Sequence, residues 1–386
     1  MRTQVAIIGA GPAGLVLSQL LHLAGISSVV LEVRDRAYVE SRVRAGVLEQ
    51  GSVDLLRACG LGARLDREGM PHEGINLQFA GARHRVPVTA LTGRSITVYG
   101  QQEVVKDAIA ARLADGGDVR FSVSDVRLSG LAASPRVAFV ENGREALLEC
   151  DFVAGCDGFH GVSRSFVPDG VLTTYERTYP FAWLGILAEA PPSTEELIYC
   201  HSPRGFALVS MRSPSISRLY LQVAPDEPLS EWSDSRVWDE LQQRLAMPGW
   251  ELAEGVVLDK GITAMRSLVT EPLQWKRLFL AGDAVHIVPP TGAKGMNLAL
   301  ADVRLLGTAL ASWYTTGSRA LLDSYSSDCL WRVWRAQHFS WWMTSMLHKF
   351  PDHDPYEEKL QLSQLRYLTT SESYARSLSE NYVGLP

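Results

Sequence analysis

The sequence predicts a mixed α/β fold in which a nucleotide-binding unit is interrupted by a β-sheet domain and closed by a helical C-terminal region. Three observations predict it. A strand, glycine turn, helix and second strand fill residues 3–32; short β-like runs crowd the middle of the chain; and the last stretch is rich in Trp and Leu at helical spacing. With 386 residues the chain can bury a large core in two or three structural units.

The first pattern is the sharpest. Val5-Ala6-Ile7-Ile8 is an apolar run of the kind buried on both faces of a sheet. It ends in Gly9-Ala10-Gly11-Pro12-Ala13-Gly14, a G-x-G-x-x-G with glycines at 9, 11 and 14. A Leu-rich helical stretch follows, Gly25 stops it, and Ser28-Val29-Val30-Leu31 leads to Glu32. Gly9 permits the tight turn, Gly11 admits a pyrophosphate to the backbone, and Gly14 lets helix and strand pack closely. A glycine fingerprint alone could be a plain turn, but the whole Rossmann-like unit stands at the expected spacing. The terminal acid favours a ribose hydroxyl over a 2′-phosphate, so FAD or NAD fits this pocket better than NADP.

After Glu32, the basic and polar stretch from Arg34-Asp35-Arg36 to Arg42-Val43-Arg44 is expected to be a solvated loop. Val47, Leu48, Val53, Leu55 and Leu56 have helical spacing, which places Arg42 and Arg44 near the nucleotide end of the sheet. Residues 72–98 alternate apolar and polar side chains between Gly and Pro breaks, predicting strands and turns, and Gln101-Gln102 opens a helix. Residues 119–121, 137–140 and 147–150 predict an antiparallel addition. Two further apolar runs end in Gly and an acid: Phe152-Val153-Ala154-Gly155-Cys156-Asp157-Gly158 and Leu278-Phe279-Leu280-Ala281-Gly282-Asp283. Between them lie short β-like runs with one amphipathic helix near residues 238–245. Beyond Pro289-Pro290, Thr291 to Asn297 opens a long helix, and Trp331, Trp334, Trp341 and Trp342 are expected to bury against the body or a partner. The expected divisions are residues 1–172 for nucleotide binding with a substrate-side excursion near 72–98, 173–265 for a substrate sheet, 266–300 for the return to the nucleotide unit, and 301–386 for a helical interface region.

Composition narrows the function. A net charge of −6 and a pI near 5.9 argue against a general nucleic-acid or anionic-membrane binder. No apolar run reaches the roughly 18 residues of a membrane span, and the N-terminus leads straight into a strand without the regions of a signal peptide. Five scattered cysteines with no CxxC suggest reduced thiols in the cytoplasm, with no metal site or disulfide framework.

One G-x-G-x-x-G, a central Asp-Gly and a late Gly-Asp, in that order, resemble the group A flavoprotein aromatic hydroxylases. The strings Arg42-Val43-Arg44-Ala45-Gly46-Val47-Leu48-Glu49-Gln50, Gly155-Cys156-Asp157-Gly158-Phe159-His160-Gly161, Val288-Pro289-Pro290-Thr291-Gly292-Ala293-Lys294-Gly295 and the tail from Glu380 to Pro386 are similar to the members acting on 4-hydroxybenzoate. The resemblance implies FAD in the first fold, with Glu32 at the adenosine ribose, Arg42, Arg44 and Gln102 nearby, and Asp283 at the ribityl or pyrophosphate region. It implies that the helix after Pro290, with Lys294, Gly295 and Asn297, faces the flavin, and that Arg218 is associated with flavin movement.

The same resemblance implies that Ser210, Arg212 and Tyr220 bind the substrate carboxylate. Tyr199, Tyr382 and the Pro290 carbonyl would meet the phenol, and a proton chain would run towards His72. NADPH or NADH would bind without its own Rossmann unit, at Arg34, Tyr38, His160, Arg164 and Arg266. The implied cycle is flavin reduction, reaction with O2 to a flavin C4a-hydroperoxide, and hydroxylation of 4-hydroxybenzoate at carbon 3 by a homodimeric, cytoplasmic enzyme. The competing readings are a related hydroxylase of another small aromatic acid, or an FAD-bearing binding or sensor protein without catalysis.

Overall fold

In the computed structural model, which describes residues 1–43 and 46–385, a six-stranded sheet is centred on Val5–Ile8. Ser28–Leu31 and Phe152–Gly155 flank it in parallel, and Leu278–Leu280 joins beyond the latter, also in parallel. Ile8 pairs with Leu31 and Gly155, and Gly155 with Leu280, so one row closes all four strands. The next residues, Gly9, Glu32, Cys156 and Ala281, therefore lie along the carboxyl edge, where open α/β sheets bind ligands. The central strand is apolar because both faces are covered: Val5, Ala6 and Ile7 are wholly buried. Helix Pro12–Leu23 starts with Pro in its first turn and ends before Gly25, at φ +71°. The long helix Gly295–Thr316 packs beside it closely enough that a Cβ on Gly307 would stand 3.3 Å from Leu20 Cβ.

Local pairing departs from expectation at several places. Asp118–Arg120 joins the parallel sheet beside Ser28–Leu31, and the third strand of the antiparallel addition is Ser124–Ser129, with Arg136–Glu141 and Arg144–Glu149. A three-residue apolar run has no length to distinguish the two pairings. Val47–Glu49 is a strand rather than the start of a helix, which begins at Gln50. The stretch expected as a loop contains helix Arg36–Ser41, started by the Asp35 carboxylate accepting the Tyr38 N–H at 2.8 Å.

An eight-stranded sheet forms the second unit. Its order is His286–Ile287, Val256–Glu271, Thr173–Glu189, Ile216–Val223, Ala207–Ser213, Ile198–Cys200, Ile75–Phe79 and Ala82–Val86. Strands separated by more than a hundred residues thus meet at one edge, where Tyr199 pairs with Leu77. Helices Ala320–Leu347, Pro355–Thr370 and Glu372–Tyr382 close the molecule. Asp354 and Glu357 form a capping box at the second, and Ser371 caps the third. Trp331, Trp334 and Trp341 are exposed on this chain, 62%, 42% and 39% respectively, and Trp342 is half-buried. The body leaves Trp331, Trp334 and Trp341 exposed, contrary to the first of the two expectations for them, whereas Trp342 packs against the core beside Phe339 and Tyr374. Tyr382 and Val383 are buried, so the tail is part of the core.

Candidate active site

At the carboxyl edge of the parallel sheet the backbone itself makes a cradle. Gly9 has φ +102°, and a Cβ there would lie 2.4 Å from the Cys156 carbonyl oxygen; one on Gly14 would lie 2.0 Å from the Gly9 oxygen. At Gly11 a Cβ would meet nothing within 4 Å, so the helix N-terminus opens onto free space. Glu32, nearly buried, accepts the Ala10 N–H at 2.7 Å and the Arg34 N–H at 2.8 Å, which holds it beside that turn. Gln102 stands in the first turn of helix Gln101–Ala114 with its Oε1 buried and without a partner among the described residues. Asp283 is exposed on the 3-10 turn Gly282–Ala284, and Arg42 is exposed beyond the other edge. Arg44 lies outside the described residues. Open glycine, helix N-terminus and unpartnered polar atom fit the pyrophosphate and ribose of a dinucleotide.

The expected helix after Pro290 is in two parts. Pro290–Gly292 is a 3-10 turn, Ala293 has φ +54°, and the α-helix starts at Gly295, where a Cβ would again meet nothing within 4 Å. The Pro290 carbonyl accepts the Ala293 N–H at 2.9 Å. Lys294 is buried and donates to Glu49 at 2.6 Å, to the Asn381 carbonyl at 2.5 Å and to the Tyr382 carbonyl at 2.9 Å. Arg332 also pairs with Glu49. Burial pulls the Lys294 pKa down, with Glu49 opposing it. Asn297 accepts from the Glu49 N–H and the Ser52 hydroxyl, and donates to the Val47 and Ala293 carbonyls. Glu49 and Arg332 had no signal of their own in the sequence; their partners are 245 and 283 residues away.

A second constellation stands on the eight-stranded sheet. Tyr199 lies opposite Leu208, Leu208 opposite Tyr220, Tyr220 opposite Gly185, and Ser210 opposite Arg218. Directly opposed residues and their i+2 neighbours share a face, so Tyr199, Ser210, Arg218 and Tyr220 project to one side. Gly185 leaves room there: a Cβ would stand 2.6 Å from Arg218 Nη2. The Tyr199 and Tyr382 hydroxyls are buried and 2.6 Å apart, joined across 183 residues of sequence. Burial raises the pKa of both phenols; for Tyr199 the Tyr382 hydroxyl offsets part of the rise. Arg212 donates to Ser210 Oγ at 3.1 Å and to the Met211 carbonyl at 2.7 Å. Arg212 Nε and Arg218 Nε and Nη1 are buried without partners among the described residues. Burial pulls the Arg212 pKa down, and neighbouring Arg218 pulls the same way against Tyr220. Unmet cationic donors beside a buried hydroxyl pair have the chemistry of a pocket for an anionic phenol.

His72 is 2% exposed, and its Nδ1 has no partner among the described residues. Burial lowers its pKa to about 4, with Glu196 opposing weakly. No direct hydrogen bond joins it to Tyr382 among the described residues.

The cationic residues expected at the nicotinamide fall into two groups. Arg34 and Arg42 flank the Tyr38 ring at 5.1 and 5.9 Å, while Arg36 is taken up by Glu40 at 2.6 Å. Arg164 and Arg266 stand over Phe159, at 5.2 and 3.7 Å, with His160 stacked edge-on against the same ring at 4.8 Å. Phe159 is the centre of that group and carried no local signal beyond its place after Gly158.

A glycine cradle at the carboxyl edge of a parallel sheet, with a second sheet carrying buried hydroxyls and unmet guanidinium donors, defines a dinucleotide-binding class of protein. The chain belongs to the FAD binding domain family, which matches residues 2–340. It is 50% identical over 388 residues to p-hydroxybenzoate hydroxylase of Acinetobacter baylyi, covering 100% of this chain and 96% of that protein. Rifampicin monooxygenase of Streptomyces venezuelae is 28% identical over 84% of this chain and 67% of its own length. The fold is shared with the crystal structure of p-nitrophenol 4-monooxygenase from Pseudomonas putida, at a TM-score of 0.85 and 20% identity over 100% of this chain and 99% of that one.

Proposed function

We propose that this protein is an FAD-dependent monooxygenase that hydroxylates 4-hydroxybenzoate at carbon 3. NAD(P)H, O2, a proton and 4-hydroxybenzoate give 3,4-dihydroxybenzoate, NAD(P)+ and water. The observation that carries this reading is that unmet Arg212 and Arg218 donors stand on the same sheet as Tyr199, whose buried hydroxyl bonds that of Tyr382. A full-length relative with the corresponding name supports it.

Gly9, Gly11, Gly14, Glu32, Gln102 and Asp283 would hold FAD, which would supply the redox chemistry that activates O2. The chain orients and dries the substrate. Arg212, Ser210 and Tyr220 hold the carboxylate; a planar guanidinium can offer two parallel donors to it. At the other end Tyr199 engages the phenol. An ordinary phenol has a pKa of about 10, and its anion is the better electron donor at carbon 3. The proton would leave through Tyr199 and Tyr382 in the direction of His72, which burial keeps neutral. The nicotinamide cosubstrate uses the Tyr38 group with Arg34 and the Phe159 group with His160, Arg164 and Arg266. Because Asp35 caps a helix and Arg36 pairs with Glu40, the segment after Glu32 discriminates weakly between NADPH and NADH. The exposed Trp331, Trp334 and Trp341 on helix Ala320–Leu347 support a homodimer through that face. Five free, buried cysteines support a cytoplasmic setting.

The test is NAD(P)H oxidation with and without 4-hydroxybenzoate, followed by mass spectrometry of the product. Substrate should stimulate oxidation many-fold and yield a product heavier by one oxygen. Unstimulated oxidation, or unmodified substrate, would sink the reading and favour a binding or sensor role.

A further inference from the structure

We propose that His286 and Asp302 are positioning residues that set the turn Gly282–Ala284 and, through its backbone, aim Asp283 at the cofactor. This rests on the reading of Asp283 as a cofactor contact. Asp302 projects from the second turn of helix Gly295–Thr316 and its side chain is 2% exposed. A single oxygen, Oδ2, takes two donors: the Gly282 N–H at 2.9 Å and His286 Nε2 at 2.6 Å. An ionised carboxylate can only accept, so Nε2 must carry the proton. His286 belongs to the strand His286–Ile287, paired through Val269 to the substrate sheet. The same carboxylate therefore ties the cofactor turn to that strand from within the core.

The rest of the turn is held in the same way. Gly282 has φ +63°, the Val285 N–H returns to the Gly282 carbonyl at 3.0 Å, and Arg164 donates to the Ala284 carbonyl at 2.9 Å. Asp283 is exposed, and its carboxylate makes no hydrogen bond among the described residues. Its position is inherited from the backbone on either side. A buried carboxylate is costly unless it is well partnered, and here Gly282 and His286, on either side of Asp283, are among its partners.

The experiment titrates FAD into apoprotein and follows flavin fluorescence. His286→Leu removes the donor and keeps the bulk, His286→Gln supplies an N–H of similar reach, and Asp302→Asn keeps the shape but replaces the charged acceptor by a weaker neutral one. His286→Leu and Asp302→Asn should raise the FAD Kd at least tenfold, with His286→Gln within threefold of the parent. Affinity of the FAD-saturated variants for 4-hydroxybenzoate should stay within threefold. Asp283→Ala should also weaken FAD, and combining it with His286→Leu should add little, because both act on one contact. Equal losses in His286→Leu and His286→Gln, full additivity in the double variant, or a parallel fall in substrate affinity would each show a general packing role and overturn the proposal. Unchanged FAD affinity in Asp283→Ala would remove the cofactor contact itself; loss there with none in His286→Leu would overturn the clamp alone.

Discussion

The glycine cradle and the proposed substrate pocket are built by opposite means. The cradle works by what is missing: Gly9 and Gly14 lie against backbone that a Cβ would strike, and Gly11 faces open space. The pocket would work by what is present, hydroxyls and guanidinium groups carried by Ile198–Cys200, Ala207–Ser213, Ile216–Val223 and the last helix. Added atoms are therefore destructive in the cradle, whereas removed atoms are destructive in the pocket. The difference also separates folding from chemistry, since buried donors left unmet cost stability that a bound anion would offset.

The largest effect on folding should come from adding one methyl group to the cradle. Gly14→Ala would place a Cβ 2.0 Å from the Gly9 oxygen, which the backbone must move to accept. Overpacking of this kind costs about 1–3 kcal/mol or more, so the apoprotein should melt several degrees lower. Gly11→Ala should leave the apoprotein melting temperature unchanged while weakening FAD at least tenfold. Equal melting shifts in the two variants would erase the distinction between packing glycine and ligand-facing glycine.

In the pocket, Arg212→Ala should cost the most. Hydrogen bonds to charged groups contribute about 1.5–3 kcal/mol each, so losing two predicts at least a hundredfold weaker 4-hydroxybenzoate, with FAD retained. Lys should recover part of this, because it supplies charge without the planar fork. Titration of substrate against the flavin spectrum measures both variants, and parental affinity in Arg212→Ala would move carboxylate recognition elsewhere.

The comparison sharpens through pH. His72 has a pKa of about 4 in the folded chain against an ordinary 6.5. Below the ordinary value the unfolded state binds the proton more readily, so this contribution is full above pH 6.5 and lost as pH falls towards 4. At about 1.4 kcal/mol per unit, His72→Gln should lose about 2 kcal/mol less stability than the parent between pH 7.5 and 5, read from urea midpoints. Parallel curves would show that burial of His72 is not what shifts its titration.

The smallest effect is expected from Tyr199→Phe, which removes one oxygen and leaves the ring. FAD and substrate should still bind and the flavin should still be reduced. The quantity to follow is 3,4-dihydroxybenzoate formed per NAD(P)H consumed, expected to fall about tenfold, the scale of about 1.4 kcal/mol in a barrier. A parental ratio would make the Tyr199 hydroxyl dispensable.

By itself the sequence determined the nucleotide-binding unit, the strand–Gly–acid motifs at 155–157 and 281–283, the inserted sheet and the helical C-terminus. These are local: glycine placement, apolar runs and their stops act within about thirty residues, where chain geometry leaves little choice. The resemblance extended the reading to Tyr199, Arg212 and Tyr382 as chemistry, without their geometry. The link implied through Tyr199 and Tyr382 is present as a direct contact, but only the tertiary structure decided that Lys294 and Arg332 share Glu49 and that Asp302 holds both Gly282 and His286. It also decided the strand at 118–120, whose three residues suit either kind of pairing, and the exposure of the tryptophans. The reason is physical. A buried polar side chain must find a partner, but its own neighbours in sequence do not say which distant element will bring one.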